Sequence, residues 1–103
     1  MTKESHSNLI NGKWSQKGPS FMSINPSDTT DTIGAFHEAT EEECIQAIHS
    51  AKTAFKSWSQ SELEERKTVL DKIGGELIAK SQVLGELIAR EEGKPIPEGV
   101  GEV

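Results

Sequence analysis

The sequence is poor in cysteine and in long apolar runs. Cys44 is the only cysteine among 103 residues, so no internal disulfide can form, which agrees with a reducing compartment. No apolar run approaches the roughly 18 to 20 residues that a membrane span needs. The opening "MTKESHSNLI" lacks the basic start and apolar centre of a signal peptide. We therefore predict a cytoplasmic protein that does not enter a membrane.

Positive charge is also scarce. The chain has 11 Lys and Arg against 17 Asp and Glu, which gives a net charge of −6. Proteins that bind phosphate backbones present clusters of Lys and Arg, and none occurs here, so we predict no nucleic-acid partner. Hydrophobic residues make up only 33% of the chain. Because they are periodic rather than scattered, we expect folded helices that complete their core against further protein.

The first forty residues carry signals for strands and turns. Residues 1–7 are polar, and we predict a disordered tail there. Asn11–Gly12 lies between short apolar runs, which is typical of a tight β-hairpin because both residues tolerate a positive φ. Turns that contain Pro19 and Pro26 separate two further strands. Residues 8–39 are therefore predicted to form N-terminal strands and turns.

From Thr40 onward the apolar period changes from two residues to about 3.6, which predicts helices throughout residues 40–103. Thr40 and Glu43 are spaced as a capping box, and Ser61 and Glu64 repeat the pattern. A third helix is predicted over about residues 81–92, and Pro97 suits the first turn of a fourth helix.

Glycines punctuate this helical part. Gly74 and Gly75 lie inside the second predicted helix, which indicates either close approach of another backbone or a kink. Gly99 and Gly101 invite comparison with dinucleotide-binding loops. Such loops follow a buried strand, however, whereas these glycines follow Pro97 and are predicted to lie inside the fourth helix.

Few residues offer chemistry. Cys44 lies near a helix start but follows three glutamates and belongs to the apolar stripe of the first helix, so we interpret it as a packed, inert thiol. The histidines have no metal-ligand spacing, and Trp14 and Trp58 are interpreted as packing residues. No residue of this chain is predicted to be catalytic or to bind a cofactor.

The order of short motifs resembles the amino-terminal region of the NAD(P)-dependent aldehyde dehydrogenase superfamily. Members open with an "INGxW" hairpin and a strand that ends in "NP", as in "INGKW" and "SINPSD" here. They continue with helices that contain "AxxAFxxW", "ERxxxLxxI" and a closing "ExGKP", each of which this chain matches in order. The resemblance covers about residues 9–103. The closing segment is most similar to bacterial 2,5-dioxovalerate (α-ketoglutarate semialdehyde) dehydrogenases.

This resemblance implies an α/β fold with a Rossmann-type cofactor domain in the full-length protein. The chain would supply an N-terminal β-hairpin and strand segment, three helices and the start of a fourth, with residues 40–103 as the truncated helical part of the cofactor-binding domain. It implies oxidation of a small-molecule aldehyde or semialdehyde with NAD or NADP, in a homo-oligomer. The thiolate, oxyanion donors and general base would lie outside this chain, which is expected to be inactive alone.

The resemblance also implies one candidate metal site. Some members hold a structural monovalent cation with main-chain oxygens beside the "NP" turn and near the end of the "ExGKP" helix. Those positions correspond to Ile24, with Ser23 adjacent, and to Glu91. Ordinary backbone without an ion remains the alternative at this point.

A contrasting hypothesis is a small autonomous protein, an acidic helical module that binds a partner and has no enzymatic activity. The two hypotheses differ in what they predict for apolar surface. An N-terminal portion of a larger enzyme should leave Phe55, Trp58 and the Gly74–Gly75 face uncovered, whereas an autonomous module would bury them.

Overall fold

The computed structural model describes residues 4–103 of the chain. Short strands occupy the first part of this range, and helices occupy the rest. The strands are β1 (Ser5–His6), β2 (Asn8–Ile10), β3 (Lys13–Ser15), β4 (Ser20–Ile24) and β5 (Thr32–His37). The helices are α1 (Glu41–Trp58), α2 (Leu63–Ala79), α3 (Ser81–Glu92) and α4 (Ile96–Glu102). The prediction of strands followed by three helices and the start of a fourth is confirmed.

Two compact units make up the chain. In the first unit, residues 4–23 and 34–61 are described; they contain the hairpin, most of the three-stranded sheet and α1. The second unit comprises residues 24–33 and 62–103, which are a loop and the helices α2, α3 and α4.

The predicted hairpin is present in the first unit. β2 and β3 pair antiparallel, with Leu9 opposite Trp14. The turn residues Asn11 and Gly12 have φ values of 51° and 73°, and two consecutive positive φ angles are what a tight two-residue hairpin turn requires. The short-range sequence signal was therefore sufficient to place this element.

A strand lies where a disordered tail is predicted. Ser5 and His6 form β1 and pair in parallel with Ala35 and Phe36 of β5, in a sheet of order β1-β5-β4. The His6 ring stacks on Phe36, with 4.6 Å between the ring centroids. The prediction of disorder is thus wrong for these two residues, because their partner strand lies far along the sequence and leaves no local signal. Residues 1–3 of the predicted tail lie outside the described range.

The Glu43 side chain organises the start of α1. Thr40 caps the helix through its hydroxyl, and the Thr40 amide donates to Glu43 Oε2 at 2.8 Å, so the predicted capping box is confirmed. The other carboxylate oxygen accepts from the Ser15 hydroxyl at the end of β3 and from the Lys17 amide at 3.5 Å. The side chain is fully covered. These hydrogen bonds, that from Ser15 first, lower the pKa of Glu43 to about 2, so it stays ionised despite burial.

The second predicted capping box, by contrast, is wrong. α2 begins at Leu63 after Glu62, which makes no side-chain capping bond. The Ser61 hydroxyl instead donates to the Trp58 carbonyl at 2.7 Å, at the end of α1. A serine between two helices can serve either one, and here both its hydroxyl and its backbone amide donate to the Trp58 carbonyl at the end of the first helix.

Apolar faces of α1 and α2 are largely uncovered. Phe55 is 66% exposed and Trp58 is 42% exposed. No atom of the described chain outside α2 lies within 4 Å of where a Cβ on Gly74 or Gly75 would be, so no described residue makes the close approach suggested for these glycines. Cys44 is also exposed, which corrects its interpretation as a packed thiol: nothing in the described residues covers that stripe.

The second unit is built on a close crossing of α3 and α4. A Cβ on Gly85 would lie 2.4 Å from Val100 Cα, and a Cβ on Gly99 would lie 2.2 Å from the Gly85 carbonyl oxygen. Ala89, one turn along α3 from Gly85, is 4% exposed. The backbones of the two helices are therefore in contact. Such a close approach is possible only because the residues at the crossing are small. Gly99 lies inside α4, as predicted, rather than in a phosphate loop.

The crossing predicts opposite effects for two glycine substitutions in the 103-residue chain. Gly85→Ala should destabilise it by about 1–3 kcal/mol, because the new methyl group overlaps backbone atoms of α4. Gly74→Ala, the matched control within α2, should stabilise it by about 1 kcal/mol, because the methyl group enters open space and alanine favours a helix. Urea unfolding followed by circular dichroism measures both, and a neutral Gly85→Ala would contradict the observed crossing.

Candidate functional site

The candidate site of this chain lies in the second unit, where the loop after β4 meets the end of α3. The loop is held by its own hydrogen bonds. The Asn25 amide donates to the Asp31 carbonyl at 3.0 Å, and the Asn25 side chain accepts from the Ser27 amide at 2.9 Å. Asp28 in turn accepts from the Thr30 amide at 3.1 Å. Such short polar side chains close turns by replacing backbone partners, as the "NPSDTTD" composition predicts.

Two contacts fix this loop to α3. Arg90 donates from Nε to Asp31 Oδ2 at 2.9 Å and from a terminal nitrogen to Asp31 Oδ1 at 2.6 Å, which is a bidentate ion pair. The Ser27 hydroxyl donates to the Gly93 carbonyl, just past the helix end. The "NP" turn and the "ExGKP" helix end, which lie more than sixty residues apart in sequence, are thus brought together.

Gly93 is required by this arrangement for two reasons. It ends α3 with φ 72°, in the left-handed region that favours glycine. A Cβ here would also lie 2.5 Å from the Ser27 hydroxyl oxygen and 2.8 Å from Pro26 Cγ. The glycine therefore both turns the chain and lets the loop approach the helix.

The ion pair sets the charge state at the site. The hydrogen bonds from Arg90 and then from Asn25 lower the pKa of Asp31 to about 2, against a smaller opposing effect of burial. The same pairing raises the pKa of Arg90. Both groups are therefore charged at neutral pH, and their charges are mutually satisfied.

The two residues predicted as main-chain cation ligands are sequence neighbours of residues that hold this loop to α3. Ile24 directly precedes Asn25, which donates its side-chain amide to Asp31 at 3.3 Å, and Glu91 directly follows Arg90. The Glu91 carbonyl has no regular helical partner, because the residue four positions on is Pro95, which has no amide hydrogen. Within the described residues no group of three His, Cys, Asp or Glu side chains could hold a metal ion.

Sequence reasoning missed the side chains that assemble this site, namely Ser27, Asp31 and Arg90. Asp31 was visible only as one polar residue of a turn, and Arg90 only as a basic residue near a helix end. An acidic turn and a solitary arginine beside a helix-ending glycine are complementary charges. Their distance in sequence left their pairing without a local signal.

The first unit contains a groove of about 700 Å³ between the hairpin and α1. Trp14, which is 70% exposed, forms one wall, and His49 and Ser50 line the α1 side. The groove contains neither a nucleophile paired with a base nor a set of metal ligands, so it carries no candidate chemistry. None of the helices in the described range is long and apolar enough to cross a membrane.

Comparisons with known proteins agree with the motif order. The family model described as "Aldehyde dehydrogenase family" matches residues 14–103. The chain belongs to the aldehyde dehydrogenase family. A crystal structure of an NAD-dependent aldehyde dehydrogenase from Sinorhizobium meliloti superposes on 97% of the chain with a TM-score of 0.89 and 25% identity, and this covers 21% of that structure.

Similar sequences include aldehyde dehydrogenase family 7 member A1 of Pisum sativum, which is 38% identical over 95 residues, or 92% of this chain and 18% of that protein. The alpha-ketoglutarate semialdehyde dehydrogenase of Haloferax volcanii is 31% identical over 98 residues, or 93% of this chain and 20% of that protein. The chain thus spans about a fifth of the length of the curated relatives it matches.

The ion pair predicts a specific sensitivity to acid. Because the pKa of Asp31 falls from 3.8 to about 2 on folding, its contribution to stability is present above pH 3.8 and is lost as the pH falls through about 2. Asp31→Asn should lower the unfolding free energy at neutral pH and make it fall less steeply between these values.

The control is Asp71→Asn, which removes an exposed ion pair with Lys67 on α2 and should change stability by less than about 0.5 kcal/mol. Urea unfolding at a series of pH values measures all three proteins. Parallel curves for Asp31→Asn and the unsubstituted chain would show that the pair does not titrate with folding.

Proposed function

We propose that this chain is the N-terminal part of an NAD(P)-dependent aldehyde dehydrogenase that oxidises a semialdehyde to the carboxylic acid. The observation that carries the proposal is the agreement of fold and sequence over nearly the whole chain, with a TM-score of 0.89 to an NAD-dependent aldehyde dehydrogenase. The semialdehyde assignment is supported by relatives named for malonate semialdehyde and alpha-ketoglutarate semialdehyde.

Within such an enzyme the role of this chain is to build part of the cofactor domain. Its residues make hairpin, capping and helix-crossing contacts, and the side chains that attack the aldehyde and hold the cofactor would come from the rest of the polypeptide. NAD or NADP would accept the hydride there. We also propose that the complete enzyme is a cytoplasmic homo-oligomer.

The test uses the complete product of the gene that encodes this chain. With α-ketoglutarate semialdehyde or malonate semialdehyde, it should reduce NAD⁺ or NADP⁺, as followed by absorbance of the reduced cofactor. The 103-residue chain made alone is the control and should be inactive. A complete product that reduces neither cofactor with either substrate would overturn the proposal. A monomeric chain with a cooperative thermal transition and no binding of an apolar dye would favour the autonomous module instead.

We further propose that the backbone oxygens of Ile24 and Glu91 help to hold a monovalent cation. The support is the loop that Asp31 and Arg90 bring to the end of α3, together with the Glu91 carbonyl that Pro95 leaves without a helical partner. A monovalent cation suits such a site because backbone carbonyls are neutral oxygen ligands.

If a cation binds, the thermal unfolding midpoint of the protein should be higher in sodium or potassium chloride than in tetramethylammonium chloride at equal ionic strength. Gly93→Ala should remove the difference, because the added methyl group would displace Pro26 and Ser27 from the helix end. Gly101→Ala, whose methyl group meets nothing within 4 Å in the described chain, should retain it. Equal midpoints in all three salts would favour ordinary backbone without an ion.

A further inference from the structure

Arg66 on α2 has a polar atom that the described chain does not satisfy. Its Nε is buried and has no hydrogen-bond partner within residues 4–103. Buried donors are nearly always paired, and leaving one unpaired costs more than a typical hydrogen bond contributes. The other arginine of the chain, Arg90, shows the usual solution, since its Nε donates to a carboxylate at 2.9 Å.

The neighbouring basic side chain, Lys67, does have a hydrogen-bond partner. Lys67 donates to Asp71 one turn along α2 at 2.6 Å, and both side chains are about two-thirds exposed. Lys67 is therefore paired within its own helix, whereas the Nε of the half-buried Arg66 has no hydrogen-bond partner among the described residues. The complementary group is a carboxylate, which matches the planar fork of a guanidinium.

Apolar residues surround Arg66 in a regular row along α2. The row consists of Leu63, Arg66, Leu70, Ile73 and Leu77, at spacings of three and four residues, and we call it the α2 seam. Its four apolar members are between 46% and 75% exposed. Around Arg66 the seam forms a groove of about 400 Å³, lined by Leu63 and Leu70 with the Lys67–Asp71 pair beside them. Alternation of three and four residues is the spacing with which a helix packs lengthwise against another element.

The chemistry of the seam restricts its occupant. A nucleic acid would meet a chain with a net charge of −6. A free anion would satisfy Arg66 but would leave the row of apolar side chains, about four turns long, in water. A polypeptide surface that places one carboxylate among apolar side chains satisfies both parts.

We propose that the α2 seam docks against an apolar surface of the remaining polypeptide of the enzyme, and that a carboxylate on that surface pairs with Arg66. The inference rests on the proposed function, because the occupant is a further part of the same aldehyde dehydrogenase. Arg66 acts here as a positioning residue: it selects the register in which the seam packs. Once docking has buried the pair, removing either partner is destabilising, because it leaves an uncompensated buried charge.

The first experiment measures the thermal unfolding midpoint of the complete gene product. Arg66→Met should lower the midpoint by several degrees, and Arg66→Lys should restore part of the loss. Lys67→Met is the matched control and should leave the midpoint unchanged, because its ion pair is exposed. Equal midpoints for Arg66→Met and Lys67→Met would overturn the proposal, whether or not the product oxidises aldehydes.

The second experiment uses the 103-residue chain and acetate as the carboxylate probe. Nuclear magnetic resonance of ¹⁵N-labelled protein should show a saturable shift of the Arg66 Nε–H signal with acetate, and a much smaller shift for Arg90, which already has its carboxylate. An unresponsive Arg66 would contradict the proposal. Sedimentation that shows a dimer lost in Arg66→Met would also overturn it, because the occupant would then be a second copy.

Discussion

The carboxylate of Glu43 holds together three segments that no buried apolar core joins in the described residues. It accepts hydrogen bonds from Ser15 at the end of the hairpin, from the Lys17 amide in the following turn, and from Thr40 at the start of α1. In the described residues the fully buried side chain is this charged one, whereas the buried hydrophobic residue is the small Ala89. Ionised acceptors make shorter and stronger hydrogen bonds than neutral ones, so directional contacts compensate for the small apolar area buried.

The second unit follows the same rule with a different charge pair. Asp31 and Arg90 fix a loop to the end of α3, and the loop can come so close only because Gly93 has no side chain. Gly85 and Gly99 likewise allow α3 and α4 to cross with their backbones in contact. In both places a missing side chain sets the distance and, at the loop, a charged hydrogen bond sets the orientation.

What the sequence could predict was limited by the range of the interactions involved. The Asn11–Gly12 turn, the Thr40 capping box and the helical position of Gly99 depend on neighbours within a few residues, and all three predictions are confirmed. The strand at Ser5–His6 and the pairing of Asp31 with Arg90 depend on residues about 30 and 59 positions away, and local patterns do not record them. The capping box at Ser61 failed because a second helix end competed for the same hydroxyl.

The exposed faces of α1 and α2 connect this physical picture to the family. An autonomous module was expected to bury Phe55 and Trp58 among its own elements, but both remain substantially exposed, and the Gly74–Gly75 face is open. The periodicity predicted the helices correctly, but their apolar faces are not buried among the described residues. The apolar stripes of these helices extend beyond what the described residues cover. This agrees with a family whose members are about five times longer. The hydrogen bonds of Glu43 and the Asp31–Arg90 ion pair stabilise the two units. The uncovered apolar stripes are suited to pack against a larger core.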